Sequence, residues 1–148
     1  MVKIIRNGAL TGLISGILMG LLMKLFQLLF QKEVYTLLLN IDFIPYFGTK
    51  AYSETVEFIF HLIVAIFIGI LFAFITERYK LVRLSKLFLL SFILTFPTIF
   101  LYFPLTILAI KETPVVTDYL AITLWTIAHL FFAIFIPIFY VLLQRVLR

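Results

Sequence analysis

Four runs of apolar residues, each long enough to cross a bilayer, restrict what this chain can fold into. They lie near residues 8–30, 55–76, 84–109 and 119–143. A hydrocarbon core needs about 20 helical residues to span it. In lipid, a spanning helix satisfies all its backbone groups internally. The pattern therefore predicts an all-α, polytopic membrane protein: four transmembrane helices in a single bundle over residues 1–148, with an outer loop at 31–53. Of the 148 residues, 64% are hydrophobic, against roughly 45–50% in soluble domains. The mean hydropathy is +1.21, and so small a soluble domain could not bury that much apolar surface. The breaks carry Pro45 with Gly48, the charged stretch 77–86, and the stretch 111–118. The first run is too long for a signal-peptide core and no small-residue cleavage site follows it, so it is expected to remain in the mature protein.

The net charge of +5 does not point to nucleic acid, because the basic residues flank the apolar runs. Lys3, Arg6, Arg78, Lys80, Arg83, Lys86, Arg145 and Arg148 fall on one side; Lys32, Lys50 and Lys111 fall on the other. Excess Lys and Arg mark cytoplasmic loops. Both termini and the 77–86 loop are thus expected in the cytoplasm. Glu33, Asp42, Glu54, Glu57, Glu112 and Asp118 gather on the opposite side, with only Glu77 inside. There is no cysteine, hence no disulfide and no thiolate chemistry.

Gly8, Gly12, Gly16 and Gly20 recur every fourth residue in the first run. Positions four apart share a helix side. A stripe without side chains lets another helix backbone approach closely, and close packing holds membrane helices together. This glycine zipper is expected to face a helix of the bundle, or to hold a second copy or a membrane partner.

Lys24 continues the glycine row, and Gln27 and Gln31 follow at helical spacing. A charge within a membrane segment is costly and marks a functional-site candidate, while a lysine near a helix end also snorkels. Lys24 is expected to approach Glu57 or His61. Within 31–53, Val34 to Ile44 remains apolar up to Pro45, and Tyr35, Phe43, Tyr46, Phe47 and Tyr52 suit the headgroup level. Either the first helix extends to about Asn40 or, as favoured here, a separate segment lies on the outer surface. Ser53 is placed to cap the second helix, with Glu54 and Glu57 in its first turn. Glu54, Glu57 and His61 share one face. Glu57-x-x-x-His61 offers a metal two ligands where a structural site wants four, so a hydrogen-bonded histidine is the expectation and no metal is assigned. Pro97 and Pro104 lie seven apart in the third helix, where each removes a backbone donor. Thr95 and Thr98 stand near enough to compensate. Asp118 and His129 share a face of the fourth helix.

His61-Leu-Ile-Val-Ala-Ile-Phe-Ile-Gly-Ile70 parallels His129-Leu-Phe-Phe-Ala-Ile-Phe-Ile-Pro-Ile138, and the chain has two histidines in all. A duplicated two-helix hairpin and convergence of two lipid-packed helices both remain open. Gly12-Leu-Ile-Ser-Gly16 with Lys24, His61, Glu77, Phe103-Pro104-Leu105, His129 and Gln144-Arg145 follow one another in an order that resembles the YagU-like inner-membrane proteins of bacteria. The resemblance implies four helices and, with no organelle signal in the chain, a bacterial-type plasma (inner) membrane; it assigns no activity.

Enzyme motifs are lacking: there is no Gly-x-Ser-x-Gly, phosphate loop or His-Glu-x-x-His, so neither catalysis nor a cofactor is expected. Two functions remain. One is a structural or accessory subunit whose polar residues pair with one another. The other is a small proton-linked or pH-sensitive transporter or channel, using Lys24, Gln27, Glu54, Glu57, His61, Asp118 and His129 as one outward polar cluster. The bilayer itself is the partner that the composition requires.

Overall fold

The computed structural model describes residues 1–44 and 52–147. It is all-helical through them: α1 (Val2–Phe30), α2 (Val34–Leu39), α3 (Glu54–Arg78), α4 (Leu84–Phe100), α5 (Tyr102–Leu108) and α6 (Tyr119–Val146). Pro45, Tyr46, Phe47, Gly48, Lys50 and Arg148 lie outside the described residues. Four helical stretches are long and apolar enough to cross a membrane: α1, α3, α4 continued by α5, and α6, with mean hydropathies of 2.0, 2.9, 2.0 and 2.3. The chain is thus a multi-pass membrane protein of four spans.

α1 lies between α3 and α6, and α6 lies between α1 and α4. The glycine row sets this arrangement. A Cβ added at Gly8 would stand 2.7 Å from Ile70 Cα, and one at Gly12 would stand 2.7 Å from Ile66 Cα and against the Ala65 carbonyl oxygen. Gly16 opposes the Ala65 side chain and Gly20 opposes the Phe58 ring. The fit is reciprocal. A Cβ at Gly69 would meet Gly12 N and Cα at 2.6 Å. Ala65, Gly69 and Ala73, spaced by four and all buried, form a second small-residue row facing the first. The stripe is filled by α3 of the same chain. The stripe thus faces a helix of the bundle, the first of the expectations stated for it.

α1 stops at Gln31, which adopts the left-handed conformation (φ 54°) and donates its N–H to Gln27 O. Its side chain donates to the Leu28 carbonyl at 2.8 Å, satisfying one of the orphan acceptors at the helix end. So α1 does not extend toward Asn40. A separate short helix, α2, follows instead, with Val34, Tyr35, Leu37 and Leu39 buried against the bundle.

The third span is not one helix. It breaks at Leu101, between α4 and α5. Pro104 cannot donate to the Phe100 carbonyl, and it sits in the first turn of α5, where a missing N–H costs least. Thr98 Oγ1 donates to the Thr95 carbonyl at 2.6 Å. Trp125 Nε1 of α6 donates to the Ile99 carbonyl at 3.1 Å and Tyr102 Oη donates to Val115 O at 2.9 Å, so α6 and its preceding loop hold the break. Ser91 Oγ adds a bond to the Ala133 carbonyl at 2.7 Å. The capping expectation also shifts. Ser53 occupies the N-cap of α3 without a side-chain bond. At the start of α6 the N-cap residue, Asp118, does cap with its side chain, accepting from Ala121 N–H.

Candidate functional site

The end of the bundle formed by residues 31–44, 52–57 and 109–118 carries most of the polar chemistry. Here Lys24, Lys32 and Lys111 each pair with a carboxylate. Lys24 Nζ lies 2.6 Å from Glu54 Oε1 and 5.4 Å above the Tyr35 ring. Lys32 Nζ lies 2.7 Å from Asp118 Oδ2, and Lys111 pairs with Glu57. Lys24 therefore meets Glu54, not Glu57 or His61: Glu54 begins α3 next to α1, whereas Glu57, one turn deeper, turns toward the 109–118 loop. Each pair joins elements far apart in sequence.

Neutral groups complete the network. Gln27 Oε1 accepts from the Tyr35 and Thr36 N–H groups, both at 2.9 Å, and so caps α2 from α1. Gln27 Nε2 donates to Glu33 at 2.6 Å. Tyr35 Oη donates to Glu54 at 3.0 Å; burial pushes this phenol's pKa up, and its bond to the Glu54 carboxylate pushes it further. Asp42 Oδ2 accepts from the Ile110 and Lys111 N–H groups at 2.9 and 2.6 Å, tying the 40–44 stretch to the α5–α6 loop.

The Lys32 ammonium, hydrogen-bonded to Asp118, holds that carboxyl below the usual carboxylate range, and the Ala121 N–H adds to the effect. A carboxyl lowered in the folded state contributes stability above its ordinary pKa of about 4 and loses it as pH falls through the lowered value. Asp118→Asn keeps an oxygen for the cap and removes the ion pair. It is expected to lower the detergent-solubilised melting temperature at pH 7 and to flatten the fall seen below about pH 4. Equal acid slopes for variant and parent would refute the role given to the Lys32–Asp118 pair.

The seven polar residues singled out in the sequence separate into three places. Lys24, Gln27, Glu54 and Glu57, joined by Tyr35 and Thr36, line one cavity of about 290 Å³. Asp118 stands apart with Lys32. His61 and His129 line a different cavity of about 310 Å³, between α3 and the α4–α5 break, which is walled mainly by apolar side chains. The shared outward cluster thus does not form: the histidines line a separate cavity whose walls include Leu38 and Leu39. The two histidines also differ in their bonds. His61 Nε2 lies 3.2 Å from the Gly16 carbonyl of α1, whereas His129 Nδ1 lies 2.8 Å from the Trp125 carbonyl one turn back. Among the described residues no three His, Asp or Glu side chains converge as a metal site.

Sequence reasoning missed several groups that this geometry uses. Lys32 and Lys111 entered only as topology markers. A count of acids against bases on that side would have shown each cation to have a carboxylate available. Asn40, alone in an apolar stretch, carried a signal of its own. At the opposite end, Glu77 accepts from Tyr140 Oη at 2.9 Å and Gln144 Nε2 at 3.0 Å, joining α3 to α6.

These features define a four-span, all-α membrane protein with a clamped polar end and a lateral apolar cavity. The chain matches no family model, no curated protein and no solved structure.

Proposed function

We propose that this chain is a structural or accessory membrane subunit and not a solute pathway. The observation that supports this is the closed pairing of Lys24 with Glu54, Lys32 with Asp118 and Lys111 with Glu57. A permeation path needs charges or carbonyls lined along a wet route, whereas these charges lock connecting segments to helices. The arrangement calls for no catalytic step. By the distribution of Lys and Arg, the termini face the cytoplasm of a plasma membrane. The resemblance to YagU-like proteins supports a bacterial membrane.

The purified chain, reconstituted in liposomes with a pH-sensitive dye inside, tests the reading. The expected result is proton flux indistinguishable from protein-free liposomes under an imposed pH gradient. Flux that rises with protein content and is removed by Glu57→Gln would establish the transporter instead.

A further inference from the structure

α3 and α4 meet only briefly, and the cavity of about 310 Å³ lies in the gap between them. Its rim includes Ile63, Val64 and Leu101, which are 54%, 54% and 46% exposed. In a membrane-spanning segment such residues face acyl chains, so the cavity opens sideways into lipid. Among the described residues its lining holds no Lys, Arg, Asp or Glu. Its polar lining includes His61, His129 and Asn40.

The hydrogen-bonding capacity of these three groups is specific. A carbonyl oxygen only accepts, so His61 Nε2 and His129 Nδ1 each carry a proton toward the Gly16 and Trp125 carbonyls. In a neutral ring the other nitrogen is then an acceptor. That leaves His61 Nδ1 and His129 Nε2 able to receive hydrogen bonds. Asn40 is 4% exposed. Its Oδ1 accepts from Asp42 N–H at 3.0 Å, while its Nδ2 has no partner among the described residues. A buried amide donor left unmade costs about 1–3 kcal/mol, so this group lacks a partner that a ligand can supply.

We infer that the cavity binds an acylglycerol: an uncharged lipid whose hydroxyls donate to the histidines, whose ester carbonyl accepts from Asn40 Nδ2, and whose acyl chain leaves through the Ile63–Leu101 rim. Among the described residues an anionic headgroup finds no cation in the lining, and burying an unpaired charge is costly. A plain hydrocarbon leaves the Asn40 donor unmet. This inference does not depend on the accessory reading above, since a lipid site is compatible with either function.

Trp125 is the only tryptophan and lines the cavity. The full chain in detergent is titrated with monooleoylglycerol dibrominated on its acyl chain, bromine being a contact quencher of indole. The expected result is saturable quenching, reversed by unbrominated monooleoylglycerol. Dibrominated methyl oleate, which keeps the ester and lacks hydroxyls, should need at least tenfold more, as should dibrominated phosphatidylcholine. Asn40→Leu, checked for an unchanged melting temperature, should weaken the acylglycerol about tenfold. Equal midpoints for all three lipids, or quenching that never saturates, would overturn the proposal. The comparison among lipids decides on the parent protein alone, even if Asn40→Leu fails to fold. Liposome flux tests the accessory reading by itself, so either proposal can fail without the other.

Discussion

Replacing Gly12 with leucine will prevent α1 and α3 from packing and will leave little folded protein in detergent. A Cβ at this position meets backbone on every near side: the Ala65 carbonyl oxygen, Ile66 Cα at 2.7 Å and the Ala65 carbonyl carbon at 2.9 Å. No side chain can rotate to make room, so the helices must separate along their length. Separation opens the contacts at Gly8, Gly16 and Gly69 as well, because the two small-residue rows interlock. Overpacking of a well-filled interior costs about 1–3 kcal/mol even for small insertions, and leucine adds four carbons. A loss of at least about 3 kcal/mol is expected, read as a shifted unfolding midpoint in SDS titration. Gly20→Ala is the comparison. There the near atoms belong to the Phe58 ring, a side chain able to turn, and the loss should be about 1 kcal/mol or less. Equal midpoints for Gly12→Leu and the parent would mean that α1 and α3 do not meet through this stripe.

Lys111→Met is expected to have the next largest effect. Glu57 lies one turn inside α3 with its side chain 11% exposed, and the lysine paired with it is 39% exposed. Removing one member of a buried pair strands the other charge, at about 3–5 kcal/mol when both are fully enclosed. With the lysine partly in water, about 2 kcal/mol is the expected loss. Glu57→Gln added to Lys111→Met should recover most of it, since the stranded charge is then gone. The four-variant cycle measures the coupling directly, by thermal unfolding at pH 7. Strictly additive losses would show that the pair is a surface contact of little weight, as most exposed ion pairs are. The Lys24–Glu54 pair, at 45% and 57% side-chain exposure, belongs to that weaker class.

The helices themselves were legible because their causes are local. Four apolar runs and the period of 3.6 residues suffice for four spans. The same period puts Gly8, Gly12, Gly16 and Gly20 on one side of α1 whatever surrounds them. The partner of that side was not legible by the same reasoning. The matching row in α3, Ala65-x-x-x-Gly69-x-x-x-Ala73, was present in the sequence, but alanine is common in apolar helices and attracts no notice singly. Only the antiparallel approach of α1 and α3 makes the two rows one interface.

The polar cluster shows the same division more sharply. Helical spacing correctly places Glu54, Glu57 and His61 along one side of α3, yet a side of a helix is broad. Tertiary structure turns Glu54 to α1, Glu57 to the 109–118 loop and His61 under α2, into an apolar cavity. Asp118 was read together with His129 because three helical turns separate them. In the fold, Asp118 belongs to the N-cap and Lys32, because a carboxylate at a helix start is drawn to the free N–H groups there. The break at Leu101 was half visible: Pro104 announced a missing donor, but whether the helix bends or divides depends on Trp125, which takes up the Ile99 carbonyl, and on Tyr102, which ties the start of α5 to the Val115 carbonyl. The sequence by itself thus determined the spans, their lengths and the faces they present, since these follow from bonds and periods within a few residues. Which faces meet, which charges pair and where a cavity remains were decided only by the tertiary structure, because those energies arise between segments 30 to 86 residues apart in the chain.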